Sequence, residues 1–428
     1  MILFSLTKIE RCAFENCISL ENIVIPTSVR NIEEKSFSNC KSIKMIDIPS
    51  GISIINYNCF GTCSSLKEIA IPSSVTIIDD SAFKECSSLT KVTIPSSVTE
   101  IRMRAFCECH ELKSIIIPSS VSTIGDYAFG ECDKLESLII PSSVNTIGAC
   151  AFSDCNKLES IIIPSSVNLI GSYAFCDCKS LKSIKILSNL NKIENGLFKG
   201  CSSLSEIEIP STYTIIGESA FNGCSSLTNF NVHSAVTFIG NSAFTDCSSL
   251  SEIVIPPHVE SIEDNLFQGC KSLKQISLNS YISSIGCSAF HDCSSLLEIV
   301  IPSSVFSIGK NAFRDCISLE KIVFESPASI KTINESTFYN CKALINIIIP
   351  SSVELICQKA FQNCSKLVDL TFEENSSINK IENLAFYDCS SLKNVSIPSS
   401  ADVEFGAFNG CNSLKNNSND SKLNCSIY

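Results

Sequence analysis

Apolar residues recur along the chain in two alternating spacings, and residues 135–155 show both. Leu135–Ile140 ends in two apolar residues that are two positions apart, which predicts a short strand with one buried face. Pro141 follows and has no N–H to donate, so the strand pairing stops there. Val144 and Ile147 are three residues apart and carry the chain back across the opposite side. The AFSDC segment that comes next is too short for a stable helix and predicts a single helical or 3₁₀ turn.

This unit repeats through nearly the whole chain. Written from its cysteine, it is C-x-S-L-x-x-I-x-I-P-S-S-V-x-x-I-G-x-x-A-F-x-x, and 18 copies of Phe-x-x-Cys mark it. The copies keep one constant spacing from Phe14 to Phe313, and the spacing varies from there to Phe408, with two-residue insertions near Pro327 and Glu374. A fixed period of this length indicates a solenoid, in which the apolar residues of neighbouring units stack into continuous buried ladders.

The period also predicts the domain organisation. We expect an α/β solenoid dominated by β structure, with about 18 units of about 23 residues forming a single domain over residues 1–414. The first unit is incomplete, because Ile2 already holds the last strand position. From about residue 178 onward the strand-ending proline is missing in every second unit, which gives a pairwise super-repeat. Residues 415–428 are predicted to be a polar, disordered tail.

The motif L-x-x-I-x-I-P-x-x-V-x-x-I-G-x-x-A-F-x-x-C resembles the leucine-rich repeat of the BspA-like, or Treponema pallidum-type, subclass, which is found in surface antigens of bacteria and of protozoa such as trichomonads. The resemblance covers essentially residues 2–414. It implies a curved solenoid with a parallel sheet on the concave face and short turns or 3₁₀ segments on the convex face. It also implies adhesion to host matrix proteins, host-cell proteins or other microbes, at the cell surface or after secretion.

The cysteines repeat with the unit. Eighteen of the 26 cysteines follow the phenylalanine, and we interpret them as a column of small buried side chains, with disulfides or metal ligation as the alternatives. Stacked side chains on neighbouring rungs point in parallel, which disfavours the torsion that a disulfide needs. The two Cys-x-Cys pairs at 107–109 and 176–178 lack the companion ligands of a zinc site, so we predict no metal and no cofactor. So many thiols favour a reducing compartment or an anaerobic habitat.

The charge and the chain ends limit the partners and the location. The net charge is −12 and no Lys/Arg cluster interrupts it, so nucleic acid and anionic lipid are not expected partners. No run approaches the roughly 20 apolar residues of a membrane helix, and no signal peptide or lipid anchor is apparent. A cytoplasmic location is therefore the alternative to the cell surface. Self-association through the concave face or the uncapped N-terminal end is a further expectation.

A candidate binding face follows from the strand pattern. The two x residues beside the first isoleucine of I-x-I point away from the core, and three consecutive units place isoleucine there, each beside a serine. A contiguous exposed apolar patch indicates an interface, although β-branched residues also suit strands in their own right. Further along, valines alternate with acidic residues. The predicted ligand-binding residues are Ser114, Ile116, Ser137, Ile139, Ser160, Ile162, Glu252, Val254, Glu298 and Val300.

The sequence offers no catalytic set. The chain has four histidines (His110, His233, His258 and His291), and no base, nucleophile and orienting carboxylate recur together. The glycines stand singly and build no phosphate-binding loop. We therefore expect a protein that is not an enzyme and binds other proteins, as a surface-antigen-type adhesin. The alternative is an intracellular leucine-rich repeat scaffold that uses the same concave face.

Overall fold

The computed structural model describes residues 6–208 and 210–414. The chain divides into two compact units, Met1–Thr212 and Tyr213–Tyr428. The described residues form strands and turns without any helix, and accordingly they include no helix that could cross a membrane. The predicted polar tail at 415–428 and the incomplete start at Ile2 lie outside the described residues, and the single domain over 1–414 stays a prediction.

The first compact unit contains two rows of short parallel strands. The I-x-I segments form the paired sets β4–β6, β8–β10 and β12–β14–β16, and the V-x-x-I segments form the six-stranded row β3–β5–β7–β9–β11–β13. Its strands are β1 (Lys8–Ile9), β2 (Asn31–Ile32), β3 (Ile54–Ile55), β4 (Glu68–Ala70), β5 (Ile77–Ile78), β6 (Lys91–Thr93), β7 (Glu100–Ile101), β8 (Ser114–Ile116), β9 (Thr123–Ile124), β10 (Ser137–Ile139), β11 (Thr146–Ile147), β12 (Ser160–Ile163), β13 (Leu169–Ile170), β14 (Ser183–Ile186), β15 (Lys192–Ile193) and β16 (Glu206–Glu208).

The second compact unit repeats this plan. Its I-x-I strands form the sets β18–β20–β22 and β24–β26–β28–β30–β32, and its V-x-x-I strands include β21–β23–β25 and β27–β29–β31–β33. Its strands are β17 (Ile215–Ile216), β18 (Asn229–Phe230), β19 (Phe238–Ile239), β20 (Glu252–Val254), β21 (Ser261–Ile262), β22 (Gln275–Ser277), β23 (Ser284–Ile285), β24 (Glu298–Ile301), β25 (Ser307–Ile308), β26 (Lys321–Phe324), β27 (Thr332–Ile333), β28 (Asn346–Ile349), β29 (Leu355–Ile356), β30 (Asp369–Phe372), β31 (Lys380–Ile381), β32 (Asn394–Val395) and β33 (Asp402–Val403).

The strand register follows the repeat. In the first unit Leu138 of β10 pairs with Ile115 of β8, and both side chains are buried. The residues on either side of Leu138, Ser137 and Ile139, are exposed, which is the period-two alternation of a strand with one buried face. The predicted parallel β solenoid, in which each sequence repeat forms one structural unit, is confirmed.

The segment around Ala-Phe-x-x-Cys forms turns, in place of the single helical or 3₁₀ turn predicted from its length. In one repeat the amides of Ser81, Phe83 and Glu85 donate to carbonyls of the next repeat, at 2.8 Å each. The turns of neighbouring repeats therefore form a third hydrogen-bonded row beside the two rows of strands. Ser81 and Glu85 each have a φ of 59°, which lies in the left-handed region of backbone conformation. Several types of tight turn need a residue with such a positive φ. Asn, Asp and Gly recur at the Glu85 position along the chain, as this backbone geometry favours.

Phenylalanine and cysteine form the buried ladders that were predicted. The rings of Phe83 and Phe106 stack with centroids 5.3 Å apart in the first unit, and those of Phe290 and Phe313 stack at 5.2 Å in the second. Each ring is fully buried. Because a single unit could not cover its own phenylalanine, the stacking of neighbours supplies the core.

Serine and glycine hold neighbouring units close together. The second serine of Pro-Ser-Ser donates from Oγ to the carbonyl of a valine or isoleucine in the preceding repeat, as Ser120 does to Val98 at 2.6 Å. Gly148 directly follows the V-x-x-I strand β11. Its φ is not in the left-handed region, and a Cβ there would lie 2.4 Å from the amide nitrogen of Asp126. Glycine is needed at this position because two backbones approach closely.

Candidate functional site: the outward strand face

The outward side chains of the I-x-I strands form the exposed surface that we call the strand face. All ten residues predicted to bind a ligand are exposed on it, and the buried residues between them anchor each strand in the core. Exposure on this face is therefore observed for each predicted residue, and their role in binding stays a prediction. The residues in question are Ser114, Ile116, Ser137, Ile139, Ser160, Ile162, Glu252, Val254, Glu298 and Val300.

In the first unit three isoleucines on successive strands form what we call the isoleucine ridge. Ile116, Ile139 and Ile162 are 84%, 81% and 57% exposed. Ile116 and Ile139 are direct partners in the β8–β10 register, and Ile162 holds the same position on β12. Paired strands lie about 4.8 Å apart, so Ile116 and Ile139 form a continuous apolar strip. Ile162 extends this strip on β12, which belongs to the next paired set of strands.

The surroundings of the isoleucine ridge are polar and carry little charge. Ser114 and Ser137 are register partners along one side of it. Ser160 continues this row and pairs with Ser183 of β14. Ile162 is the register partner of Lys185 on β14, so a cation stands at one end of the ridge. The ridge can therefore contribute apolar contact area and hydroxyl hydrogen bonds, with one lysine beside its last isoleucine.

The strand face of the second unit is charged. Glu252 and Val254 of β20 pair with Gln275 and Ser277 of β22. Glu298 of β24 pairs with Lys321 of β26, and in the same register Val300 pairs with Val323. The structure thus places the predicted residues of this unit in two separate clusters, on β20 and on β24. The β24 cluster continues into apolar residues of β26 and β28.

A pocket opens beside the β24 cluster, between β26 and β28. We call it the β26–β28 pocket. Its volume is about 450 Å³, and its residues are Glu320, Lys321, Ile322, Val323, Phe324, Ile345, Asn346, Ile348 and Glu373. The pattern of outward residues in the sequence did not indicate a pocket here. The two-residue insertion near Pro327, which directly follows β26, is the sequence feature that could have indicated an irregular site here.

The cysteines of the repeat are structural. In unit after unit the thiol donates to the carbonyl of a phenylalanine in the preceding unit, as Cys86 does to Phe60 and Cys293 does to Phe267, with S···O distances of 3.2 and 3.1 Å. The described cysteines are free thiols. Burial raises the pKa of Cys63 to about 12, and it raises those of Cys86 and Cys293 well above the ordinary value. A buried thiol that keeps its proton is a poor nucleophile and a poor metal ligand.

One group of side chains in the described residues has metal-like geometry. The ligand atoms of Cys107, Glu108 and Glu131 lie within 4.8 Å of one another. Lys84 contributes its ammonium to this group, 3.3 Å from Glu108. Burial raises the pKa of Cys107 to about 12, with smaller contributions from the two carboxylates. Because a lysine lies beside one of the carboxylates and the thiol keeps its proton, we interpret these side chains as packing contacts on the outer turns.

Two of the histidines have an acidic neighbour. His110 Nδ1 lies 2.9 Å from Asp133 Oδ2, and His291 Nε2 lies 3.3 Å from Asp315 Oδ2. His233 accepts a hydrogen bond from the amide of Ala235 at 3.1 Å. Each of these contacts is explained by local structure. Leucine-rich repeat proteins of this kind are in general not catalytic.

Two solved structures with similar chains are leucine-rich repeat proteins of bacteria. A leucine-rich repeat protein from Bacteroides ovatus is 29% identical, with a TM-score of 0.61, and the match covers 85% of this chain and 81% of that one. A leucine-rich cell surface protein from Faecalibacterium prausnitzii is 26% identical over 93% of this chain and 86% of that one, with a TM-score of 0.38. No curated protein sequence matches the chain.

A family model matches almost the full length. The model described as BspA type leucine rich repeat region matches residues 2–113, 99–228, 214–343 and 283–415. The positions that define the unit are the strand isoleucines, the Ala-Phe pair and the cysteine, and from the second repeat onward the structure buries most of them in the stacked core. The chain belongs to the family of BspA-type leucine-rich repeat proteins.

Proposed function

We propose that this protein is a non-catalytic, surface-antigen-type adhesin that binds other proteins through its strand face. The observation that carries the proposal is the isoleucine ridge. Three large apolar side chains stand exposed at the same position of successive strands, where solubility alone would favour polar residues. The strands that carry the ridge are anchored by their buried residues in the core, so little conformational entropy would be lost on binding.

The proposed partners are proteins of a host matrix, a host-cell surface or another microbe. An apolar strip flanked by serine hydroxyls resembles the common composition of protein interfaces, with an apolar centre and a polar margin. The net charge of −12 disfavours phosphate-rich partners. Self-association through the same ridge is the competing use of this surface.

The buried repeat thiols do not require a reducing compartment. From Cys40 onward the described repeat cysteines are buried, Cys86 and Cys293 donate to phenylalanine carbonyls, and burial holds the pKa of these two thiols high. Since the thiolate is the species that reacts with oxidants, they would stay reduced in an oxidising environment as well. This removes the main physical argument for the intracellular scaffold and supports a surface location, which is common in the family.

Binding can be tested with a ridge variant. We expect Ile116→Lys, Ile139→Lys and Ile162→Lys together to abolish binding of the purified protein to a panel of immobilised extracellular-matrix proteins. Folding should be unaffected, because the three side chains are exposed. A matched control is Ile18→Lys, an exposed isoleucine outside the I-x-I strands. Equal binding by the ridge variant and the native protein would remove the ridge as the binding surface.

Location and self-association need separate measurements. Intact living cells that express the chain are labelled with a membrane-impermeant biotin reagent, and capture before permeabilisation is expected. Capture only after lysis would contradict the adhesin. Light scattering of the purified protein at several concentrations reports its mass. A concentration-dependent dimer that the ridge variant abolishes would show that the ridge binds a second copy.

A further inference from the structure

The β26–β28 pocket lies where the pairing between two neighbouring strands is reduced. Four residue pairs connect β24 to β26, and four connect β28 to β30. Between β26 and β28 a single pair is in register, Lys321 with Asn346. The two extra residues of this repeat follow β26, so the chain leaves that strand by a longer path than in the regular units. The ends of the two strands are thus free to part beyond Lys321.

The pocket is apolar inside. Val323 and Phe324 line it from β26, and Ile348 lines it from β28. Ile322 is buried and contributes to its base. Ile345 and Ile348 are 44% and 59% exposed, so the apolar surface continues out of the pocket. Its volume of about 450 Å³ lies within the range of sites that hold a ligand group.

The exposed apolar surface continues onto the neighbouring strand. Leu297 and Val300 flank Glu298 on the β24 side and are both exposed. A small molecule in the pocket would leave these two side chains uncovered. An extended protein segment would place one side chain in the pocket and a second against Leu297 and Val300. The shape of the apolar surface therefore favours a segment of protein over a small ligand.

The mouth of the pocket carries an excess of negative charge. Glu320 and Glu373 line the pocket together with one cation, Lys321, and Glu298 is the register partner of that lysine. Glu373 Oε2 accepts a hydrogen bond from the amide of Ser351 at 2.8 Å, which fixes its carboxylate. Among the described residues, Glu298 and Glu320 form no ion pair. A partner with positive charge beside its apolar side chain would complement them.

We propose that the β26–β28 pocket binds an extended protein segment in which a large apolar side chain stands next to arginine or lysine. The apolar side chain fills the pocket against Val323, Phe324 and Ile348, and the cation lies between Glu298 and Glu320. This inference deepens the proposed protein-binding function and rests on it, but it uses residues distant in sequence from the isoleucine ridge.

A display library of random heptapeptides, selected on the immobilised full-length protein, tests the proposal. The selected peptides should combine a large apolar residue with an adjacent arginine or lysine. Their synthetic copies are then measured against the variants Ile348→Ser, which removes a wall of the pocket, and Glu320→Gln, which removes a charge. We expect about tenfold weaker binding to Ile348→Ser. Glu320→Gln should weaken binding most at low salt, because exposed charges are screened by salt.

Two controls separate the pocket from the rest of the strand face. Ile317→Ser changes an exposed isoleucine on the turn after Cys316, outside the strands, and should leave binding unchanged. The ridge variant should also leave it unchanged. Any of three results would overturn the proposed binding at the pocket. They are failure to select any peptide, selection of acidic peptides, and unchanged binding by Ile348→Ser. If the ridge variant alone loses the peptides, the pocket proposal fails while the proposed function gains support.

Discussion

Two regions of the strand face differ in charge and in pairing. Around β8 and β10 the strand face carries serine and isoleucine in outward positions, and three residue pairs are in regular register. Around β26 and β28 it carries glutamate, lysine and valine, and a single pair holds the two strands together. The first face offers a closed apolar ridge, and the second offers a pocket with an acidic mouth.

The inward-facing cores of the two compact units are built alike. Phenylalanine rings stack at 5.3 Å between Phe83 and Phe106 and at 5.2 Å between Phe290 and Phe313, and the thiol-to-carbonyl hydrogen bonds recur in both units. Stacking constrains the inward residues, because each must fit directly on its neighbours. The outward residues and the loop that follows each strand are free of this constraint, so differences in binding are concentrated there.

Alkaline pH should destabilise both units, which would show that they share one type of core. Burial raises the pKa of Cys86 and Cys293 well above 9.0, so above pH 8.5 the unfolded chain loses thiol protons that the folded chain keeps. This contribution to stability is present below pH 8.5 and is lost as the pH rises, at about 1.4 kcal/mol per pH unit for each buried thiol.

Urea unfolding followed by circular dichroism between pH 7 and pH 10.5 measures this effect. The summed loss over the cysteine ladder should exceed that of any single substitution. Cys86→Ala and Cys293→Ala each remove one titrating thiol, so each should reduce the slope of stability against pH. A free energy of unfolding that stays constant up to pH 10 would contradict the protonated thiol ladder.

Truncation of one stacked ring should cost the same in either unit. Phe129→Ala and Phe290→Ala each remove a fully buried ring between two others, and each should lower the free energy of unfolding by about 3–5 kcal/mol. Urea unfolding of the two variants side by side measures the difference. A much smaller cost in the second unit would show that the separated strands β26 and β28 loosen the core below them, and would break the equivalence of the inward sides.

Neighbouring residues of one strand should respond very differently. Leu138 is buried and Ile139 is exposed, although they are adjacent and similar in size. Leu138→Ala should lower the free energy of unfolding by about 2–4 kcal/mol, and Ile139→Ala by less than about 0.5 kcal/mol. Equal costs for the two variants, measured by urea unfolding, would mean that the isoleucine ridge supports folding and is not kept for a partner.

Deletion of Ser326 and Pro327 should make the second face more like the first. The repeat would return to its regular length, and β26 and β28 could pair along their whole length. We expect slower hydrogen exchange at the amides of these strands and a gain of about 1 kcal/mol from the added hydrogen bonds. The pocket and its peptide binding should be lost together. Unchanged exchange would mean that another feature separates the strands.

Much of the fold could be predicted from the sequence because the same pattern of apolar and polar positions recurs in repeat after repeat. Leu138 is buried and Ile139 is exposed as their alternation indicates, and the phenylalanine and cysteine ladders follow from the period alone. The outward direction of the ten candidate residues followed from the same alternation. The sequence also carried the preference for Asn, Asp and Gly before the cysteine, which the turns at positive φ explain.

The remaining features depend on contacts between units. Position 148 must be glycine because the backbone of Asp126 in the preceding repeat lies close to it. The thiol of Cys293 donates a hydrogen bond to the carbonyl of Phe267, which also belongs to the preceding repeat. The two-residue insertion was visible in the sequence, but only the tertiary structure decided that it opens an apolar pocket between β26 and β28. The sequence by itself determined which side chains face inward, since that depends on local period. The tertiary structure decided where neighbouring strands stay paired, because pairing depends on the path of the chain between them.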